Sequence, residues 1–198
     1  MSEGERLLEF LAVMRRLRAE CSWKQGQTHR SLARYLLEET HETLEALDIG
    51  DDEHLREELG DLLLQIWFHA VIAEERGAFS LEDVAGGIVE KMRRRNPHVF
   101  DPADGSPELD AVSVNEVWES IKATEKRRSS VFEGIPPELP ALLYADKVLD
   151  RLSREGRTVD PPSPAESLGD RLLALVAEAR EAGVDPEQAL RDAVRRLA

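Results

Sequence analysis

The chain has 198 residues, of which 41% are hydrophobic and 33% are charged, a composition typical of one folded core with at most a small appendage. Its formal net charge of −14 argues against a nucleic-acid partner, because such proteins need a basic face to displace counterions. The single cysteine, Cys21, excludes an intramolecular disulfide and is expected to be a small buried residue. No apolar run approaches the roughly 18 residues that span a bilayer, so we expect a cytoplasmic protein without a membrane partner.

Apolar residues recur at helical spacing along almost the whole chain, and no stretch alternates as a strand does. We therefore predict an all-α fold, a helical bundle with a short helical C-terminal extension. The helices are expected near residues 4–20, 28–48, 52–76, 80–95, 113–127, 138–154, 166–182 and 185–197. Prolines and glycines predict an irregular segment at 96–112 and breaks at 134–137 and 158–164. We accordingly assign residues 1–130 to a main domain and 138–198 to a C-terminal region.

A very short link joins the second and third predicted helices. Gly50 fits the C-terminus of one helix, and the aspartates that follow it fit the N-cap of the next. Such a short link predicts that the two helices form an antiparallel hairpin.

Acidic residues lie among the leucines of this hairpin. Glu39 and Glu42 are three residues apart on the first helix, and Glu58 and Asp61 are three apart on the second, so each pair forms a two-carboxylate claw. Taking carboxylates out of water costs on the order of several kcal/mol per ion unless a cation compensates. Oxygen ligands without cysteine favour Mg²⁺, with Mn²⁺ as a substitute, over zinc. The alternative is a solvated acidic face in a chain rich in acids.

Basic and aromatic residues follow later in the chain. Lys91 and Arg95 share a helix face, as two cations that grip a polyphosphate would, although cations at a helix C-terminus also complement its dipole. Trp118 and Lys122 repeat the spacing of four, and an indole can stack on a base while the lysine reaches phosphate. Trp118 also fits ordinary core packing. His98 fits either a phosphate donor or a locally packed turn residue.

Two further features have plainer interpretations. The remaining histidines show no partner pattern and are expected to be structural: His29, His41, His54 and His69. Residues 57–64 are echoed by residues 166–173, with Ser167 in the place of Glu58, either by chance or as a repeat that has lost its ligands. The C-terminal region, residues 138–198, is therefore predicted to serve packing or oligomerisation.

In combination, these motifs resemble the MazG family, the all-α nucleoside triphosphate pyrophosphohydrolases. The resembling segments are Cys21-Ser22-Trp23 with Gln27-Thr28-His29, Leu36-Leu37-Glu38-Glu39-x-x-Glu42, Leu55-Arg56-Glu57-Glu58-Leu59-Gly60-Asp61, Arg94-Arg95-Asn96-Pro97-His98-Val99-Phe100 and Trp118-Glu119-x-Ile121-Lys122. The resemblance implies Mg²⁺ ligands at Glu39, Glu42, Glu58 and Asp61, and nucleotide contacts at Lys91, Arg95, Trp118 and Lys122. To these we add Trp23 and His98 as substrate contacts, and Glu38 as a residue that orients or deprotonates the attacking water.

The resemblance also implies an activity and an assembly. The expected reaction is hydrolysis of NTPs and dNTPs between the α and β phosphorus atoms to monophosphate and pyrophosphate, in nucleotide-pool housecleaning, by a homodimer or higher homo-oligomer. Residues 1–130 would be the catalytic domain and 138–198 a degenerate second repeat.

Two departures from the family pattern bear on substrate preference. Lys24 replaces the usual aspartate of Cys-Pro-Trp-Asp, and Asn96 replaces the usual histidine. Two alternatives stay open: a narrower pyrophosphohydrolase for dUTP or phosphoribosyl-ATP, and a nucleotide-binding regulatory module without turnover.

Overall fold

The computed structural model describes residues 4–102, 110–125, 129–157 and 167–197. All regular elements in these ranges are helices, which confirms the predicted all-α class. They are α1 (Glu5–Glu20), α2 (Ser22–Gln25), α3 (His29–Ile49), α4 (Asp52–Glu75), α5 (Leu81–Arg95), α6 (Pro97–Phe100), α7 (Ala111–Glu125), α8 (Ala141–Arg154), α9 (Leu168–Glu181) and α10 (Pro186–Arg195). None of the described helices is both long and apolar enough to cross a membrane.

The eight predicted helices correspond to all but the two shortest of these elements. The prediction of an irregular segment at 96–112 is wrong for α6, which begins with Pro97 at a position where a missing N–H costs nothing. The helix α2 was not predicted because four residues are too few to show a period. The expected features at residues 103–109, 126–127, 158–164 and 166 lie outside the described residues.

The antiparallel hairpin is formed by α3 and α4, which pack along each other. Gly50 ends α3 with φ of 76°, a left-handed conformation that favours glycine, and its N–H donates to the carbonyl of Ala46 at 3.0 Å. Asp51 then caps α4, because its carboxylate accepts from the N–H groups of Glu53 and His54. Both end signals predicted for this link are confirmed.

The core of the first part of the chain lies between α1, α3 and α4. Its buried members are Met14, Leu32, Phe68, Val71 and Ile72, and burying each such side chain stabilises the fold by about 1.5–3 kcal/mol. Two ion pairs also connect α1 to the end of α4: Arg15 with Glu74 at 2.7 Å and Arg18 with Glu75 at 2.8 Å. The helix α1 therefore packs against the hairpin mainly along α4.

Apolar residues at helical spacing form one stripe on each helix of the hairpin, and both stripes are covered only in part. The stripe on α3 is Leu32, Leu36, Leu44 and Leu47, and the stripe on α4 is Leu55, Leu59, Leu62 and Ile66. Leu32 is buried, but four other stripe residues are exposed within one chain: Leu36, Leu47, Leu59 and Ile66.

Cys21 is half-buried, so the expectation that it is a buried residue is wrong. It occupies the N-cap position of the short α2, where its side chain makes no capping hydrogen bond.

The chain divides into two compact units, Met1–Glu119 and Ser120–Ala198, with the division inside α7. In the second unit, α8, α9 and α10 pack on one another. The Arg180 guanidinium of α9 donates to the carboxylates of Asp146 and Asp150 on α8, at 2.7 and 3.1 Å. The assignment of a catalytic domain to residues 1–130 and of a degenerate repeat to 138–198 stays a prediction.

Candidate metal and nucleotide site

The carboxylates of Glu39, Glu58 and Asp61 converge on one point of the hairpin. One ligand oxygen from each side chain lies within 4.8 Å of the other two. Glu39 comes from α3, whereas Glu58 and Asp61 come from successive turns of α4. Glu58 is buried, with 9% of its surface exposed, and the other two residues are half-buried. No second group of this kind occurs among the residues that the structure describes.

The electrostatics of this group favour a bound cation. Burial raises the pKa of Glu39, and the charges of Asp61, Glu42 and Glu58, together with a hydrogen bond to Glu42, raise that pKa further. Glu42 is exposed and outside the group of three, but it lies one helical turn from Glu39 on α3, and its charge acts on that carboxyl. Converging carboxylates repel one another, and a hard divalent cation with oxygen ligands relieves that repulsion. The residues present therefore fit a Mg²⁺ or Mn²⁺ ion.

His54 contacts this group, although we expected it to lack a partner. Its Nε2 lies 3.0 Å from Oε1 of Glu58, one helical turn further along α4. The spacing of four residues on one helix is the signal that identifies this pair.

Glu38 lies apart from the converging carboxylates. Its side chain is exposed and accepts a hydrogen bond from Arg34 Nη2 at 3.2 Å. Adjacent residues on a helix point about 100° apart, so Glu38 and Glu39 face different directions. The role of Glu38 toward water stays a prediction.

Two of the expected nucleotide contacts touch each other. The Arg95 guanidinium lies 5.4 Å from the centre of the Trp118 ring, within the range of a cation–π contact. Arg95 is buried, while Lys91, one turn earlier on α5, is half-buried. Trp118 thus has a partner inside the chain, and base stacking stays a prediction. So does phosphate binding by Lys122, which follows one turn later on α7 in the second unit.

The segment around α2 is attached to both α1 and the hairpin. Arg18 of α1 donates to the backbone carbonyls of Lys24 and Gln27. Trp23 is half exposed and meets the Tyr35 ring edge to face, with centroids 6.0 Å apart. The Lys24 ammonium, the charge that departs from the family pattern, lies 5.1 Å from the Phe68 ring. These contacts fix Trp23 beside α3 with part of its indole open to solvent.

His98 lies on α6, directly after the basic end of α5. Its side chain is half-buried, and its Nδ1 is buried without a hydrogen-bond partner in the structure. Buried polar atoms are usually satisfied, so this ring nitrogen lacks the partner that such an atom normally has.

The fold and these side chains define an all-α protein with a cluster of converging carboxylates on a helical hairpin. Residues 27–100 match the family model described as the MazG nucleotide pyrophosphohydrolase domain. The matched range includes the converging carboxylates, Lys91, Arg95 and His98, and excludes Trp23, Trp118 and Lys122.

Relatives extend the similarity over nearly the whole chain. The chain is 40% identical over 214 residues to the nucleoside triphosphate pyrophosphohydrolase/pyrophosphatase MazG of Thermotoga maritima, covering 96% of this chain and 81% of that protein. It is 36% identical over 222 residues to the nucleoside triphosphate pyrophosphohydrolase of Escherichia coli K12, covering 98% and 83%. It is also 44% identical over 193 residues to an uncharacterized 26.1 kDa protein in the blaB 3' region of Streptomyces cacaoi, covering 96% and 78%.

The chain therefore belongs to the MazG family. Our predictions of the family and of a pyrophosphohydrolase enzyme are confirmed. A crystal structure of a mazG-related protein from Thermotoga maritima is 28% identical and aligns with 60% of this chain and 97% of that chain, at a TM-score of 0.49.

Proposed function

We propose that this protein is a Mg²⁺-dependent nucleoside triphosphate pyrophosphohydrolase that cleaves NTPs and dNTPs to monophosphate and pyrophosphate, as a cytoplasmic housecleaning enzyme of the nucleotide pool. The observation that carries the proposal is the convergence of Glu39, Glu58 and Asp61 on the hairpin of a MazG-family chain. The relatives from Thermotoga maritima and Escherichia coli K12 are named as nucleoside triphosphate pyrophosphohydrolases, which supports the triphosphate substrate class.

The proposed metal ligands are Glu39, Glu58 and Asp61, with Glu42 as the fourth. Glu42 is included because it lies one helical turn from Glu39 on α3 and its charge raises the pKa of that carboxyl. A Mg²⁺ ion held there, or Mn²⁺ in its place, would neutralise phosphate oxygens and acidify a coordinated water. The carboxylates would supply the negative charge and the oxygen ligands that such an ion takes.

The remaining site residues would act on the water and on the triphosphate. Glu38 is the proposed group that orients the water or accepts its proton. In this role, Glu38 would give up its hydrogen bond from Arg34 and accept one from the water instead. The water oxygen forms a bond to the α phosphorus as the bond between that phosphorus and the bridging oxygen breaks. The bridging oxygen keeps the electron pair and departs with pyrophosphate.

Cations and aromatic rings would bind the substrate. Lys91, Arg95 and Lys122 would offset the charge of the triphosphate and of the departing pyrophosphate. Trp118 and Trp23 would contact base or sugar, and His98 would contact phosphate.

We further propose that the protein is a homodimer or a higher homo-oligomer. The support is the exposed part of the hairpin stripes: Leu36, Leu47, Leu59 and Ile66. An apolar row on two packed helices is stabilised when another chain covers it. Light scattering coupled to size exclusion is expected to give at least twice the mass of one chain.

Product analysis tests the reaction. A panel of NTPs and dNTPs, with dUTP and phosphoribosyl-ATP included, would be incubated with Mg²⁺ and the unmodified protein, Glu58→Gln or Glu57→Gln. Glu57 is the matched control because it is the exposed neighbour of Glu58 on the same helix. We expect monophosphate and pyrophosphate from the unmodified protein and Glu57→Gln. Glu58→Gln should lose at least about 100-fold in rate, since even outer partners of a metal ligand contribute about 10- to 100-fold.

Other products would contradict the proposal in recognisable ways. Diphosphate with orthophosphate would show that the bridge between the β and γ phosphorus atoms is broken instead. Cleavage of dUTP or phosphoribosyl-ATP alone would select the narrower enzyme, and Mg²⁺-dependent nucleotide binding without products would select the regulatory module.

A further inference from the structure

His54 and Glu58 form a pair on the inner side of the first turns of α4. The distance from Nε2 to Oε1 is 3.0 Å, and the side chains are 35% and 11% exposed, respectively. The backbone of His54 is itself held, because its N–H donates to the capping carboxylate of Asp51 at 3.2 Å. The imidazole therefore reaches Glu58 from a fixed point at the N-terminus of the helix.

We propose that His54 is a positioning residue for Glu58, an inference that rests on the proposed metal site. Imidazole donates through Nε2–H in one neutral tautomer and also when it is protonated. A carboxylate has two oxygens with about four acceptor positions, so a hydrogen bond at Oε1 leaves Oε2 for a cation. The same side chain can thus accept from His54 and serve the metal site.

Glu58 requires such a partner because its surroundings are electrostatically unfavourable. It is buried beside the carboxylates of Glu39 and Asp61, and like charges at this separation repel. Without a donor, rotation of the Glu58 side chain away from the group would lower that repulsion before a cation binds. The hydrogen bond from His54 opposes this rotation and prepares the site for the ion.

Direct binding of Mn²⁺ in the absence of nucleotide tests the inference. The affinity would be measured by calorimetry and by the electron paramagnetic resonance of free Mn²⁺ for the unmodified protein and for four variants. His54→Leu removes the donor at similar size, and His54→Gln retains an amide donor of similar reach. Glu58→Gln is the reference for a lost ligand. His41→Leu is the matched control, since His41 is exposed and two residues from Glu39, on the opposite side of α3.

We expect His54→Leu to weaken Mn²⁺ binding by about 10-fold or more, the effect typical of lost outer partners of a metal ligand. His54→Gln and His41→Leu are expected to stay within about 3-fold of the unmodified protein. All variants should retain the same helical circular dichroism, because leucine and glutamine are good helix formers.

The remaining outcomes overturn the inference and separate it from the proposed function. Unchanged affinity in His54→Leu, with binding lost in Glu58→Gln, would reject the positioning role and leave the metal site standing. Equal weakening by His54→Gln would reject the hydrogen bond as the cause. Loss of helix in His54→Leu would assign the residue a structural role. If the unmodified protein binds no Mn²⁺, the proposed metal site fails, and the inference fails with it.

Discussion

The sequence Leu-Gly-Asp occurs once in each unit, and its two copies have different environments. Leu59-Gly60-Asp61 lies inside α4, where Asp61 faces Glu39 across the hairpin. Leu168-Gly169-Asp170 lies in the first turn of α9, where Asp170 hydrogen-bonds to the capping residue Ser167. One aspartate is a candidate metal ligand and the other belongs to a helix cap. The role of the aspartate in this sequence therefore depends on its position along the helix and on whether a second acidic helix packs opposite it.

The largest effect expected from this comparison is on catalysis. Asp61→Asn should lower the rate of pyrophosphate release by at least about 100-fold, because it removes the charge of a proposed ligand from the group of three. Asp170→Asn should leave the rate within about 3-fold, because Asp170 lies in the cap of α9. Steady-state release of pyrophosphate from a good substrate measures both variants. A comparable loss in Asp170→Asn would break the distinction between the two copies.

A smaller effect separates the units by stability. Ser167→Ala removes the oxygen that accepts from the Asp170 N–H and should destabilise the second unit by about 1 kcal/mol. All three tryptophans lie in the first unit, so tryptophan fluorescence should report an unchanged transition there. Thermal circular dichroism should show the loss. A shift of the tryptophan transition by the same amount would show that the units unfold together.

The smallest expected effect is a pH dependence confined to the first unit, which holds all five histidines. Burial, and then the charge of His29, lower the pKa of His69, whose ring stacks on His29 with Nδ1 atoms 2.8 Å apart. As pH falls below about 6.5, the ordinary value, the unfolded chain takes up the proton first. The free energy of unfolding should therefore decrease as the pH is lowered from about 6.5 to the pKa of His69 in the folded protein.

Urea titrations followed by tryptophan fluorescence between about pH 5 and 7.5 test this dependence. His69→Gln should show a shallower loss of stability with acid than the unmodified protein, while His41→Gln should keep the original slope because His41 is exposed. Equal slopes in the unmodified protein and His69→Gln would assign the loss to other groups.

Features that depend on local spacing were predictable from sequence. The hairpin follows from Gly50 and Asp51 at its turn, and the convergence of Glu39 with Glu58 and Asp61 follows from their register on the two helices. The similarity of residues 166–173 to residues 57–64 was also predictable from sequence. The N-cap role of Ser167 was not, because it depends on where α9 begins.

Features that depend on tertiary packing were missed. The exposure of Leu36 and Leu59 follows from which side of the hairpin α1 covers, and a stripe of leucines does not specify that side. The pairing of His54 with Glu58 was overlooked although its spacing of four is local. A histidine on an acidic helix should thus be checked against its neighbours one turn away.

The most direct test of the metal centre is a crystal of the protein soaked in Mn²⁺, with anomalous diffraction used to locate the ion. We predict a peak bounded by the carboxylates of Glu39, Glu58 and Asp61, and none beside Asp170. The absence of an anomalous peak among those three carboxylates, in a crystal soaked at a saturating Mn²⁺ concentration, would contradict the account.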